Sequence, residues 1–231
     1  ARIERVQARI AAACRRCGRR PDEVQLIAVS KTHPPVSVVE AARAGLTIFG
    51  ENKVQEARAK MPECPSHLSW HLIGHLQRNK AAVAVELFDM IHSVDSLRLL
   101  ETIDRACEEA GRTMKVLLEV NVSGEGTKFG LKPDEVPAVL AAAGTLRRIE
   151  IRGLMTMPPF SQDLELVRPH FRRLRELRDS LEKSTGASLP ELSMGMSHDF
   201  EIGIEEGAHW IRVGTALFCE RPKKEALHED P

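Results

Sequence analysis

Short apolar runs alternate along the chain with longer segments in which apolar residues recur every three or four positions. The runs are VQLIAVSK (24–31), TIFGEN (47–52), WHLIG (70–74), MIHSV (90–94), KVLLEVN (115–121), IRGLMTM (151–157), ELSMGM (191–196) and WIRVGTALF (210–218). Most are rich in Val, Ile and Leu and do not alternate strictly with polar residues, the signature of strands buried on both faces of a parallel sheet. Between them, 35–44, 53–60, 96–110, 133–143 and 163–184 carry a helical period, and a helix at 2–17 precedes the first strand. Eight strands alternating with helices imply right-handed crossovers and a parallel sheet that can close. The pattern therefore predicts an α/β chain folded as a single (β/α)8 barrel of the TIM type, with an extra N-terminal helix. An open doubly wound sheet is the alternative, but no GxGxxG follows the first strand.

Boundary residues agree with this layout. Asp95 or Ser96 can cap the helix after MIHSV, and Pro133 stands where a first-turn proline helps, ahead of Asp134 and Glu135. Gly45, Gly111, Gly144 and Gly186 fall at expected helix ends.

Composition narrows the class. A length of 231 residues suits one barrel domain over 1–231, with the polar tail 221–231 expected to fray. Lys plus Arg (33) equals Asp plus Glu (33), so nothing advertises nucleic acid or an acidic membrane as a partner. The basic cluster Arg15, Arg16, Arg19 and Arg20 reads as a solvated helix end. No run of eighteen apolar residues exists, and ARIERVQARI lacks the apolar core of a signal peptide. Five cysteines, an odd number, suit a reducing cytoplasm better than a disulfide framework. Cys14 and Cys17 form a lone CxxC within a helical pattern, which favours packing over zinc. His71 and His75 have the spacing of a helical metal pair, but they lie in a run that reads as a strand.

In a barrel of this kind, chemistry sits at the carboxyl ends of the strands. Lys31 closes the first run directly after Ser30. One reading is a lysine snorkelling out of a strand end. The other is an amine held in a dry mouth, where desolvation lowers its pKa and frees its lone pair to attack an aldehyde. At the other end of the chain, Ser197 follows Gly195 and Met196 and opens the helix-like stretch SHDFEIGIEE, while Gly214 and Thr215 follow Arg212 and Val213. Loops after the seventh and eighth strands are where barrels bind phosphate, and a glycine lets backbone N–H groups come close. The plain alternative is that Ser197 caps a helix and Gly214 permits a bend. Arg212 is either a rim ion pair or a donor to a heterocyclic nitrogen.

Together these residues resemble the pyridoxal phosphate homeostasis protein family. The matching stretches are AVSKTHP, FGENKVQEA, WHLIGHLQRNK, NVSGEGTKFGL, GLMTM, LSMGMSHDFEIGIEEGA and IRVGTALF, in order and over almost the whole chain. The resemblance implies a barrel like the N-terminal domain of alanine racemase and pyridoxal 5′-phosphate (PLP) as cofactor, held as an aldimine on Lys31. It also implies that Asn52 lines the cofactor ring, that Ser197, Gly214 and Thr215 hold the phosphate, and that Arg212 faces the pyridine nitrogen. An arginine there keeps the ring unprotonated and weakens it as an electron sink. His33 and Cys219 depart from the family pattern, which has lysine and glycine there, and Lys128 matches a loop lysine that is a candidate second aldehyde acceptor.

The resemblance implies a cofactor carrier that acts in PLP supply, in transient contact with PLP-dependent apoenzymes, as a cytoplasmic monomer. The competing reading is a racemase of the alanine racemase type, which needs a second acid or base, usually a tyrosine from a partner's added domain. This chain has no tyrosine and is short for such a domain. A class I aldolase, with the phosphate site taking a sugar phosphate, is a third reading that the family motifs disfavour.

Overall fold

The computed structural model describes residues 1–125 and 129–218. Its strands are β1 (Gln25–Val29), β2 (Ile48–Glu51), β3 (Ser69–Leu72), β4 (Met90–Val94), β5 (Met114–Glu119), β6 (Ile149–Met155), β7 (Glu191–Met196) and β8 (Trp210–Val213). All pair in parallel, each with its neighbours in sequence, and β1 pairs with β8 through Ile27↔Arg212 and Ala28↔Val213, so the sheet closes into a barrel. The helices are α1 (Arg2–Cys17), α2 (Pro35–Arg43), α3 (Val54–Lys60), α4 (Ala81–Leu87), α5 (Leu97–Glu109), α6 (Val136–Ala143), α7 (Arg168–Thr185), α8 (Phe200–Glu205) and α9 (Thr215–Phe218).

Side-chain alternation along each strand divides the core in two. On β1, Ala28 joins the large cluster between barrel and helices, while Ile27 and Val29 pack inside with Ile73, Ile48 and Trp210. Met90, Leu117 and Met155 fill a second interior group against the same Trp210. The barrel is thus plugged by side chains, and ligands can approach only at its ends.

Four local expectations change. The α6 helix starts at Val136, and its N-terminal proline is Pro137 rather than Pro133. The last apolar run ends as a strand at Val213, and Thr215–Phe218 turns into α9. The 81–87 segment is helical although it was not predicted, because AAVAVEL offers little polar contrast for a period to show. Finally, the arginine cluster at the end of α1 is not simply solvated. Arg19 donates to the carbonyls of Ile204 and Ala208 at 2.9 and 2.8 Å, and Arg16 pairs with Glu205 at 2.7 Å, which ties α1 to α8. Ser96 caps α5 as expected, accepting from Leu99 N–H, and Gly186 ends α7 with φ 70°. Among the described residues no helix is long and apolar enough to cross a membrane. The tail 221–231, Cys219 and Lys128 lie outside the described residues.

Candidate functional site

Lys31 follows β1 at its carboxyl end, between β2 and β8, and is half-buried. The residues on either side of it are held by charge. Ser30 is fully buried, and its hydroxyl donates to Glu51 Oε1 at 2.7 Å. The Lys60 ammonium, 5% exposed, donates to the Ser30 carbonyl at 2.8 Å and pairs with Glu51 at 2.5 Å and Glu56 at 3.1 Å. Thr32 N–H donates to Glu56, and Thr32 takes φ 64°, a left-handed conformation unusual for a residue with a Cβ. Burial pushes the Glu51 carboxyl up, opposed by its bonds from Lys60 and Ser30. Sequence reading placed Glu51 within the second apolar run but missed Glu56 and Lys60. Their i, i+4 spacing on α3 was the available signal.

Asn52 follows β2 and packs against Gly74, which follows β3. A Cβ at position 74 would lie 2.4 Å from the Asn52 carbonyl oxygen, so only glycine allows these two strand ends to meet this closely. His75 turns away from His71: its Nδ1 is 3.1 Å from Asp95, and its ring stacks on Phe129 at 3.9 Å. The described residues contain no cluster of metal-ligating side chains.

The ends of β7 and β8 are joined by Ser197. Its hydroxyl accepts from the N–H of Gly214 at 3.1 Å and of Ala216 at 3.5 Å. The α8 helix begins only at Phe200, so Ser197 is not its cap, and the hydroxyl serves the turn into α9 instead. Gly214 lies over Val29 of β1, where an added Cβ would touch the Val29 backbone at 3.4 Å. Thr215 is exposed at the start of α9.

Arg212 is 3% exposed. Its Nη1 donates to Ser193 Oγ at 2.6 Å and its Nη2 to the Thr156 carbonyl at 2.9 Å. Thr156 directly follows β6, which puts the guanidinium at the level of the strand ends. No carboxylate among the described residues stands within ion-pairing distance of it. Burial therefore dominates, and it brings the guanidinium down to about 10, with Asp199 and Glu119 opposing from further away. Glu119, at the end of β5, is pushed up to about 7 by burial and by Asp95. Behind Arg212 lie two buried imidazoles that sequence reading did not connect to it, His92 and His71.

The six predicted site residues fall on the ends of four consecutive strands of the closed barrel, β7, β8, β1 and β2. Direct contacts join Ser197 to Gly214 and Gly214 to the end of β1. Strand order brings Lys31, Asn52 and Arg212 to the same end of the barrel.

Residues 2–222 match the family model "Alanine racemase, N-terminal domain". A pyridoxal phosphate homeostasis protein of Aquifex aeolicus is 44% identical over 221 residues, 95% of this chain and 97% of that protein. The chain belongs to the pyridoxal phosphate homeostasis protein family. A second member, from Pseudomonas aeruginosa, is 44% identical over 220 residues, 95% of this chain and 94% of its own. Among solved structures similar to this family member is PipY of Synechococcus elongatus with PLP bound, at 44% identity and TM-score 0.81, covering 90% of this chain and 99% of that one. An alanine racemase of Clostridium difficile superposes with TM-score 0.74 at 13% identity, over 97% of this chain and 58% of that one, a likeness of fold alone.

Proposed function

We propose that this chain binds PLP as a Schiff base on Lys31, acts as a single copy, and holds the cofactor for supply to enzymes that need it. The observation that carries this reading is Arg212, a buried guanidinium at strand-end level with no carboxylate among the described residues in pairing range. A buried cation keeps unused N–H donors only at a cost, and a neutral aromatic nitrogen is an acceptor that takes one without adding charge. The residues around it fit the rest of the group. Ser197 and the first N–H groups after β8 suit a phosphate. Lys31 supplies the amine for the aldehyde. When bound, the group contributes an aldehyde carbon open to amines and a ring that withdraws electrons.

This chain's residues do the rest. Glu51, Lys60 and Glu56 fix the backbone on both sides of Lys31, so its amine is presented from a rigid strand end. Arg212 donates to the ring nitrogen and, as a cation, keeps a proton off it, which weakens the ring's electron withdrawal. The chain contains no tyrosine to act as the second proton donor of a racemase, which supports holding over turnover.

Borohydride reduction of the PLP-loaded protein followed by peptide mapping tests the reading. The label is expected on Lys31, with the visible absorption band lost in Lys31→Ala. A label chiefly on Lys53 or another lysine would overturn it, and so would fast amino-acid racemisation that depends on Lys31.

A further inference from the structure

Four buried polar side chains make one hydrogen-bonded line through the barrel. His71 Nδ1 is 3.0 Å from His92 Nε2, and His92 Nδ1 is 2.9 Å from Ser193 Oγ, the oxygen that also accepts from Arg212 Nη1 at 2.6 Å. None of the four residues is more than 4% exposed. The β4 and β7 strands are not neighbours, so the bond from His92 to Ser193 crosses the barrel interior. Trp210 walls the line, with its ring centroid 4.9 Å from that of His71 and 5.8 Å from that of His92.

Counting protons gives the line a direction. A guanidinium only donates, so Ser193 Oγ accepts from Arg212. Ser193 has one proton to give. Given to His92 Nδ1, it leaves the His92 proton on Nε2, where it is donated to His71 Nδ1, and His71 then carries its own proton on Nε2. In the reverse order Ser193 would accept twice, and its buried proton would have no acceptor among the described residues. The forward order also needs both rings neutral. Burial brings His71 down to about 4 and holds His92 well below 6.5, where His71 and Arg212 add repulsion.

We propose that His92 and His71 are positioning residues that, through Ser193, lock the rotamer of Arg212 and so aim its remaining N–H donors at the cofactor's ring nitrogen. The proposal rests on the reading of Arg212 given above. With the Ser193 proton committed to His92, the Ser193 lone pairs stay turned to Arg212. The Thr156 carbonyl holds the other arm of the fork. Neutral imidazoles do this without placing a second positive charge beside the guanidinium.

Two measurements test it. Nitrogen-15 NMR of the cofactor-free protein reports the tautomers directly. Both rings are expected to be neutral with unprotonated Nδ1 from pH 8 to pH 5, and a protonated Nδ1 on His92 would overturn the proposal. PLP titrations then compare Arg212→Met, His92→Phe, His92→Gln and Ser193→Ala. His92→Phe and Ser193→Ala are expected to weaken binding about tenfold and to shift the absorption band of the bound cofactor, roughly the loss of one well-aimed charge-assisted bond. His92→Gln, whose amide both accepts and donates, is expected to recover part of both effects. If Arg212→Met weakens binding while His92→Phe and Ser193→Ala do not, the proposal fails and the Arg212 reading stands. If Arg212→Met itself changes nothing, the Arg212 reading fails and takes the proposal with it. Should His92→Phe not fold, Ser193→Ala removes a single oxygen and carries the comparison.

Discussion

Lys60 and Glu51 form an ion pair of 2.5 Å in which the lysine is 5% exposed and the glutamate fully buried. Neither residue touches solvent enough to be a surface pair, and the backbone they brace is that of Ser30, next to Lys31. Removing the cation leaves a buried carboxylate that keeps the Ser30 hydrogen bond but loses its counter-charge.

Lys60→Met is therefore expected to lower unfolding free energy by about 3–5 kcal/mol at pH 8. The Glu51 carboxyl is already pushed up by burial, so its ionised form is the one the fold disfavours. Without Lys60 the loss should shrink as pH falls and Glu51 takes a proton. Urea denaturation at pH 8 and pH 5 measures both; a loss that does not shrink in acid would contradict the assignment of the cost to Glu51.

Glu119→Gln is expected to stabilise the cofactor-free protein at alkaline pH. The folded carboxyl titrates at about 7 against an ordinary 4.5, so the folded state binds the proton more tightly than the unfolded one. Stability is thus lost as pH rises from about 4.5 through 7, by up to about 3 kcal/mol at roughly 1.4 kcal/mol per unit. The gain from glutamine should be present at pH 8.5 and absent at pH 4.5, read from denaturation midpoints. An equal effect at both pH values would mean that packing, not ionisation, is responsible.

Gly74→Ala should disturb Asn52 directly, because the added Cβ would sit 2.4 Å from a backbone oxygen that cannot rotate aside. Overpacking of this kind costs about 1–3 kcal/mol. Thermal unfolding gives the stability change, and PLP titration should show weaker binding as the strand end shifts.

Ser197→Asp places a carboxylate where the hydroxyl now accepts from Gly214 and Ala216 N–H. PLP affinity is expected to fall at least tenfold through repulsion of the phosphate and competition for its donors, with circular dichroism unchanged. Unchanged affinity by fluorescence titration would place the phosphate elsewhere.

Much of this molecule is legible in its local pattern. Eight double-faced apolar runs, most of them separated by helical periods, already point to a parallel α/β sheet long enough to close, because burial on both faces leaves no alternation and parallel strands need crossovers. The 2–17 helix and the strand ends at Lys31 and Asn52 follow from the same pattern, since strand ends are where the apolar runs stop, whereas the eighth run continues past its strand end at Val213. What local pattern cannot carry is any contact made by closure. His71, His92, Ser193 and Arg212 lie in four separate runs, and the bond between His92 and Ser193 joins positions 101 residues apart. In the sequence each histidine looks like an isolated polar residue in an apolar strand. Only when the sheet closes do β4 and β7 face each other across the interior, and only then do two core histidines become partners of the arginine at the mouth. The bracing of Lys31 by Lys60 is of the same kind, because it depends on which face of α3 packs against the ends of β1 and β2. Side-chain period determines which residues are buried, and tertiary packing decides which buried groups meet.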